Sequence, residues 1–205
     1  MRTAENATGS ECTMRIWNRV CETDPKDTKS VSARGGFTAV CATSQARRAT
    51  EIWGPYGLGW ALVDLQFERF ESGGKECLAL IATFWAGEMH FPIAADMVFR
   101  AGDDCYKKLR TAAQSKALAL LGFSADVFLG RFDDDHYVQS SRKKYEEEDS
   151  IKERAMTAII AANEAEELQP IRDHLGKMFS QGAITKAMQS ELLDACDQRA
   201  REVGE

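Results

Sequence analysis

The sequence predicts an α+β fold: a helix, a three-stranded antiparallel β-meander and a second helix, followed by a C-terminal helical appendage. Three observations carry this prediction. Residues 63–99 hold three runs of strand character, parted by the turn signals Ser72-Gly73-Gly74 and Gly87-Glu88. The segments on either side repeat their apolar residues at helical spacing. Beyond a charge run at residues 142–149 the spacing stays helical to the end, with breaks at Pro170 and Gly182.

Taken in order, residues 1–13 are rich in small and polar side chains and read as a flexible N-terminus. Residues 14–32 carry the turn pair Asp24-Pro25, with Trp17 and Val20 as anchors. Residues 37–53 read as a first helix: Thr43 and Ser44 suit its cap, Ala46, Ala49, Ile52 and Trp53 form a stripe, and Gly54-Pro55 stops it. The loop Gly54-Pro55-Tyr56-Gly57-Leu58-Gly59-Trp60 follows. In the first strand Val63, Leu65 and Phe67 alternate with Asp64, Gln66 and Glu68, which predicts one wet face. Residues 77–85 are almost continuously apolar and suit a central strand. In the third strand Met89, Phe91, Ile93, Ala95, Met97 and Phe99 share one face, and Pro92 marks an edge. A helix over residues 103–121, opened by Asp103 and Asp104, then stops at Gly122. Residues 14–145 are read as the core and 146–205 as an acidic helical region, where Ile151, Ala155, Ala158 and Ile159 form one stripe and Ile184, Met188, Leu192 and Ala195 another.

Composition narrows the function classes. With 44% hydrophobic and 28% charged residues, a packed core forms and wholesale disorder is excluded. The net charge of −6 excludes a uniformly basic DNA packer. That charge is uneven: residues 1–138 carry −2 and residues 139–205 carry −4, which leaves room for a local basic groove. The six cysteines form no C-x-x-C pair and there are only three histidines, so no structural zinc site is expected. No signal peptide and no membrane-spanning apolar run is read, and a cytoplasmic protein with reduced thiols is expected.

The residues able to carry chemistry are few. The glycine-rich loop lacks the Gly-Lys-Ser/Thr ending of a phosphate-cradling loop and lies between helix and strand, the reverse of the nucleotide-binding order. It either packs as a tight connection or brings backbone close to a polyanion, with Tyr56 offered for stacking. On the second helix Lys107, Arg110 and Gln114 share a face opposite Leu109, Ala113, Ala117 and Leu120, while Lys116 lands beside the apolar stripe, to snorkel or to line a groove. Lys108 lies in the same span. Arg47, Arg48 and Arg100 complete a basic inventory that suits a track for a phosphate backbone, or a plain solvated surface. The cluster Asp133-Asp134-Asp135-His136 admits a second reading, a metal-dependent nuclease, although no second acidic motif accompanies it. A protein-interaction module is the third. No nucleophile with a matching base is readable, and no cofactor is expected.

Two of these segments carry a resemblance. Residues 43–60 (TSQARRATEIWGPYGLGW) ahead of the meander, and residues 116–138 (KALALLGFSADVFLGRFDDDHYV) after it, resemble the core of ring-forming single-strand annealing proteins. The likeness is nearest to phage-encoded annealing proteins of the Sak type, relatives of the eukaryotic Rad-type annealing protein, and covers residues 14–138. It implies ATP-independent binding of single-stranded DNA and pairing of complementary strands in recombination, inside a bacterial host cell, without bond-breaking chemistry. It further implies homo-oligomers in rings or filaments, and a tail that docks a single-strand-binding protein or an exonuclease. By position, Lys116 matches a basic residue of the family's groove helix, Arg47 or Arg48 its first-helix arginine, and Tyr56 its loop aromatic. Ala119 departs from the pattern, where the eukaryotic relative is basic.

Overall fold

The structure, a computed structural model, describes residues 14–32 and 36–204. The expected flexible N-terminus, residues 1–13, lies outside the described residues. Among these the chain is mixed α+β, with seven α-helices, a three-stranded antiparallel sheet and a two-stranded sheet. It divides into two compact units, Met1–Val138 and Gln139–Glu205.

The first unit opens with α1 (Arg15–Val20), whose Val20 is buried, and a 3-10 turn (Pro25–Asp27) capped by the Asp24 carboxylate on the Lys26 N–H. Strands β1 (Thr28–Val31) and β2 (Phe37–Val40) then pair antiparallel, Thr28 opposite Val40 and Val31 opposite Phe37. This corrects the expected first helix. Phe37-Thr38-Ala39-Val40 is rich in strand-favouring side chains, and only at Cys41, whose N–H donates to the Asp27 carbonyl (2.8 Å), does the chain turn into α2 (Ala42–Trp53). Ser44 does not cap that helix by accepting an amide; its hydroxyl donates to the Cys41 carbonyl (2.9 Å).

Strands β3 (Trp60–Ser72), β4 (Lys75–Ala86) and β5 (Met89–Val98) follow in spatial order β3-β4-β5. Leu78, Leu80, Ala82 and Phe84 of β4 face the core, with Met97, Ala95, Ile93 and Phe91 of β5 directly opposite them. The expected face of β5 is therefore the packed one. Strand β3 departs from simple alternation. Asp64, in the left-handed region at φ 53°, inserts an extra residue between Val63 and Gln66. Such a bulge switches the faces: Val63 lies opposite Thr83, away from the core, whereas Phe67 lies opposite the buried Leu80. Val63, Leu65, Phe67 and Phe70 all stay 37–39% exposed.

Helix α3 (Cys105–Leu120) covers the inner face with Cys105, Leu109, Ala113 and Ala117, a stripe at four-residue spacing. Leu118 continues the buried stripe, and Leu120, expected inward, is 62% exposed. The chain then turns at Gly122, where φ is +94° and a Cβ would sit 2.5 Å from the Trp17 ring, so only glycine admits this approach. A short α4 (Ala125–Phe128) carries the buried Asp126. Its carboxylate accepts from the Thr23 N–H (2.8 Å), the Thr23 hydroxyl (2.6 Å), the Val127 N–H (2.9 Å) and the Tyr137 hydroxyl (2.9 Å). A satisfied buried carboxylate of this kind is a clasp between distant segments.

Helix α5 (Asp135–Ala161) crosses the boundary between the units without interruption. In the second unit its end packs with α6 (Leu168–Ser180) and α7 (Lys186–Val203) around Ile159, Leu168, Leu175, Ile184, Leu192 and Cys196. Both expected stripes contribute, except that Ala158 lies outside this cluster and its neighbours Met156 and Ala162 join it. Lys152 to Glu191 (2.7 Å) and Arg172 to Asp197 (2.6 Å) tie the helices at the rim. Pro170 breaks nothing: it sits in the first turn of α6, where a missing N–H leaves no helical bond unmade. Among the described residues no helix is long and apolar enough to cross a membrane. Cys21, Cys41, Cys77, Cys105 and Cys196 are free thiols.

Candidate nucleic-acid interface

Helix α2 presents Thr43, Ala46, Arg47 and Thr50 on one side, the i, i+3, i+4, i+7 spacing of a single face. Opposite stand Arg110 and Gln114 of α3. The loop after Trp53 closes the end with Tyr56 and Trp60, leaving an open cleft of about 370 Å³ lined by these residues.

The loop is built to hold Tyr56 still. A Cβ on Gly59 would fall 1.6 Å from the Trp53 carbonyl oxygen, so the backbone passes where no side chain fits. The Gly57 N–H donates to the Trp60 carbonyl (2.7 Å), and the Leu58 and Gly59 N–H groups donate to Pro55 (3.0 and 2.9 Å). Trp60, buried to 1% exposure, donates its indole N–H to the Thr50 hydroxyl (3.4 Å) and meets the Tyr56 ring edge-on at 4.9 Å. The Tyr56 hydroxyl accepts from the Leu62 N–H (3.0 Å) and from the Arg110 guanidinium (3.2 Å), which also lies 5.7 Å from the ring centre. A guanidinium so fixed loses little further freedom when it meets a phosphate oxygen.

The structure brings together Arg47, Tyr56 and Arg110 from the predicted set. Arg47 is not idle: it pairs with Asp27 (3.2 Å) and Glu51 (3.8 Å) while 64% exposed. Arg48 points elsewhere and donates to the carbonyls of Arg19 (2.9 Å) and Glu22, closing the end of α1. Lys107 and Lys108 lie at the start of α3 beside Asp104 (3.9 Å) and Asp103 respectively, and the hydrogen bond from Lys108 holds the Asp103 carboxyl below its ordinary range. Arg100 is exposed just before that helix, its backbone N–H donating to the Cys105 thiol (3.4 Å). Lys116 reaches the other flank and donates to the Ala94 carbonyl on β5 (2.8 Å). Thr43, Thr50 and Trp60 line the cleft without having been singled out as site residues. For the two threonines the signal was the four-residue spacing of Ala46 and Thr50 against Thr43 and Arg47, which reads only once the partner of α2 is known.

The acidic cluster lies outside this cleft, at the start of α5. The Asp134 carboxylate accepts from the His136 N–H (2.9 Å) at the entrance to α5, and Asp133 ends a 3-10 turn (Arg131–Asp133). Among the described residues no group of three or more His, Cys, Asp or Glu side chains is gathered to hold a metal ion.

No family model matches the chain, and no curated protein is similar to it in sequence at a significant level.

Proposed function

We propose that this protein binds single-stranded DNA and anneals complementary strands without ATP, as a ring or filament of identical subunits serving phage recombination. The observation that carries the reading is the convergence of Arg47, Arg110 and Tyr56 on one open cleft, in a chain whose mean charge is negative. The helix, three sequential antiparallel strands and helix fit the β-β-β-α core of ring-forming annealing proteins, to which residues 14–138 bear their resemblance.

The chemistry follows from what the cleft offers. Guanidinium groups on phosphates hold a strand without reading its sequence. Base edges left free can test a partner strand, which is what annealing needs. A few cations per subunit give modest affinity, and repetition around an oligomer turns it into a long footprint. The acidic helical unit stays off DNA by its own charge and offers a docking body for a single-strand-binding protein or an exonuclease.

Two labelled complementary oligonucleotides, mixed with the protein in EDTA without ATP, test this. Duplex formation faster than the spontaneous rate is the expected result. Mg²⁺-dependent shortening of either strand would replace the reading with a nuclease, and failure to retain single strands at low salt would leave a protein-interaction module.

A further inference from the structure

We propose that Tyr106 and Phe67 form a base-stacking subsite continuing the cleft along α3, taking unpaired bases of a single-stranded nucleic acid on their ring faces. The inference rests on the single-strand-binding reading above. Tyr106 lies one helical turn before Arg110, so both project from the same side of α3, about 6 Å apart along its axis. Helix α3 begins only at Cys105, and β3 runs on past its cover. Tyr106 is therefore 46% exposed and Phe67 39%, although Phe67 lies on the core-facing side of the sheet.

The two rings meet edge to face, 5.0 Å between centres and 65° between planes. That arrangement uses one edge and one face, and leaves other ring faces open to a third π-system. Arg69, on the same face of β3 as Phe67, extends the patch: its guanidinium lies 4.0 Å over the Phe99 ring and pairs with Glu76 at 3.1 Å. Bases stack on aromatic faces and on guanidinium planes alike, irrespective of sequence. The Glu76 carboxylate is taken up by Arg69, and a neutral base on a ring face meets no repulsion from it. Stacking also leaves the pairing edges of a base free, so the subsite could hold a strand extended while a complement is tested.

The experiment compares the full chain's affinity for an oligodeoxythymidine strand and for an abasic deoxyribose-phosphate strand of equal length, at one salt concentration. Wild type should prefer the strand with bases. Tyr106→Ala should lose about tenfold in affinity for that strand, keep its affinity for the abasic one, and leave tryptophan emission native. Tyr106→Phe, which keeps the ring, should retain the preference, whereas Arg110→Ala should weaken both strands together. Equal wild-type affinity for the two strands, or a Tyr106→Ala loss shared equally between them, overturns the subsite while the single-strand reading stands. Retention of neither strand by wild type overturns that reading, and the subsite with it.

Discussion

Replacing Asp126 by alanine removes the acceptor for four donors at once. Thr23 and Asp126 are each 3% exposed, so the Thr23 N–H and hydroxyl lose their partner where water does not replace it. A buried donor left unsatisfied costs about 1–3 kcal/mol. Two such donors set the loss at about 2–6 kcal/mol, with Val127 and the half-buried Tyr137 contributing less. Against a typical total of about 5–15 kcal/mol this is a large fraction. Asp126→Asn keeps one acceptor oxygen but turns an NH₂ toward a donor, and should fall between wild type and alanine. The assay is urea unfolding followed by tryptophan emission. Trp17, Trp53, Trp60 and Trp85 all precede residue 139, so the signal reports the first unit alone. A midpoint shift worth less than about 1 kcal/mol at unchanged slope would refute the clasp.

Asp27→Asn removes one of the two carboxylates held by Arg47, leaving Glu51, and since exposed pairs are worth about 0.2–1 kcal/mol, single-strand affinity should rise by up to about fivefold. The slope of log affinity against log salt should steepen by up to about 0.7, and an unchanged slope would remove Arg47 from the contact. The exposed Cys41 thiol is held below its ordinary range by the Ser44 and Thr43 N–H groups at the start of α2, while burial pushes the Cys196 thiol up. Alkylation by iodoacetamide at neutral pH, mapped by mass spectrometry, should therefore label Cys41 well before Cys196. Leu192→Ala empties part of a fully buried position in the second unit and should cost about 2–5 kcal/mol, seen as faster amide exchange across α6 and α7.

The large sheet was legible because β5 alternates cleanly and β4 is apolar throughout, and both patterns come from direct burial. The β1–β2 hairpin was not legible. Its strands have four residues each, and Phe37–Val40 runs without a break into a helical stripe, so local periodicity could not separate them. Missing the hairpin also hid Asp27, and with it the partner of Arg47. The bulge at Asp64 was equally silent, since an aspartate in a strand is an ordinary wet-face residue until its φ is known. Among the site residues, Tyr56 and Arg110 stood out by type. Their union depends on Gly59 folding the loop back onto Leu62, a long-range event without periodic trace. Arg48 and Lys116 stood out by charge, and the backbone carbonyls to which they donate are marked by no sequence pattern.

The edges of the large sheet constrain how copies of this chain can join. Pro92 supplies no N–H to β5, and the Ala94 carbonyl on that strand is occupied by Lys116. On β3 the Tyr56 hydroxyl takes the Leu62 N–H, and the rest of the strand carries exposed apolar side chains. A continuous intersubunit sheet requires every copy to offer one receptive margin on each side. At Pro92 and Ala94 the β5 margin lacks one donor and has one carbonyl already engaged, so a strand added along it would forgo hydrogen bonds at those two positions. Copies meeting along that margin would lean more on side-chain contacts than on backbone pairing, which would make their association answerable to point substitution and salt.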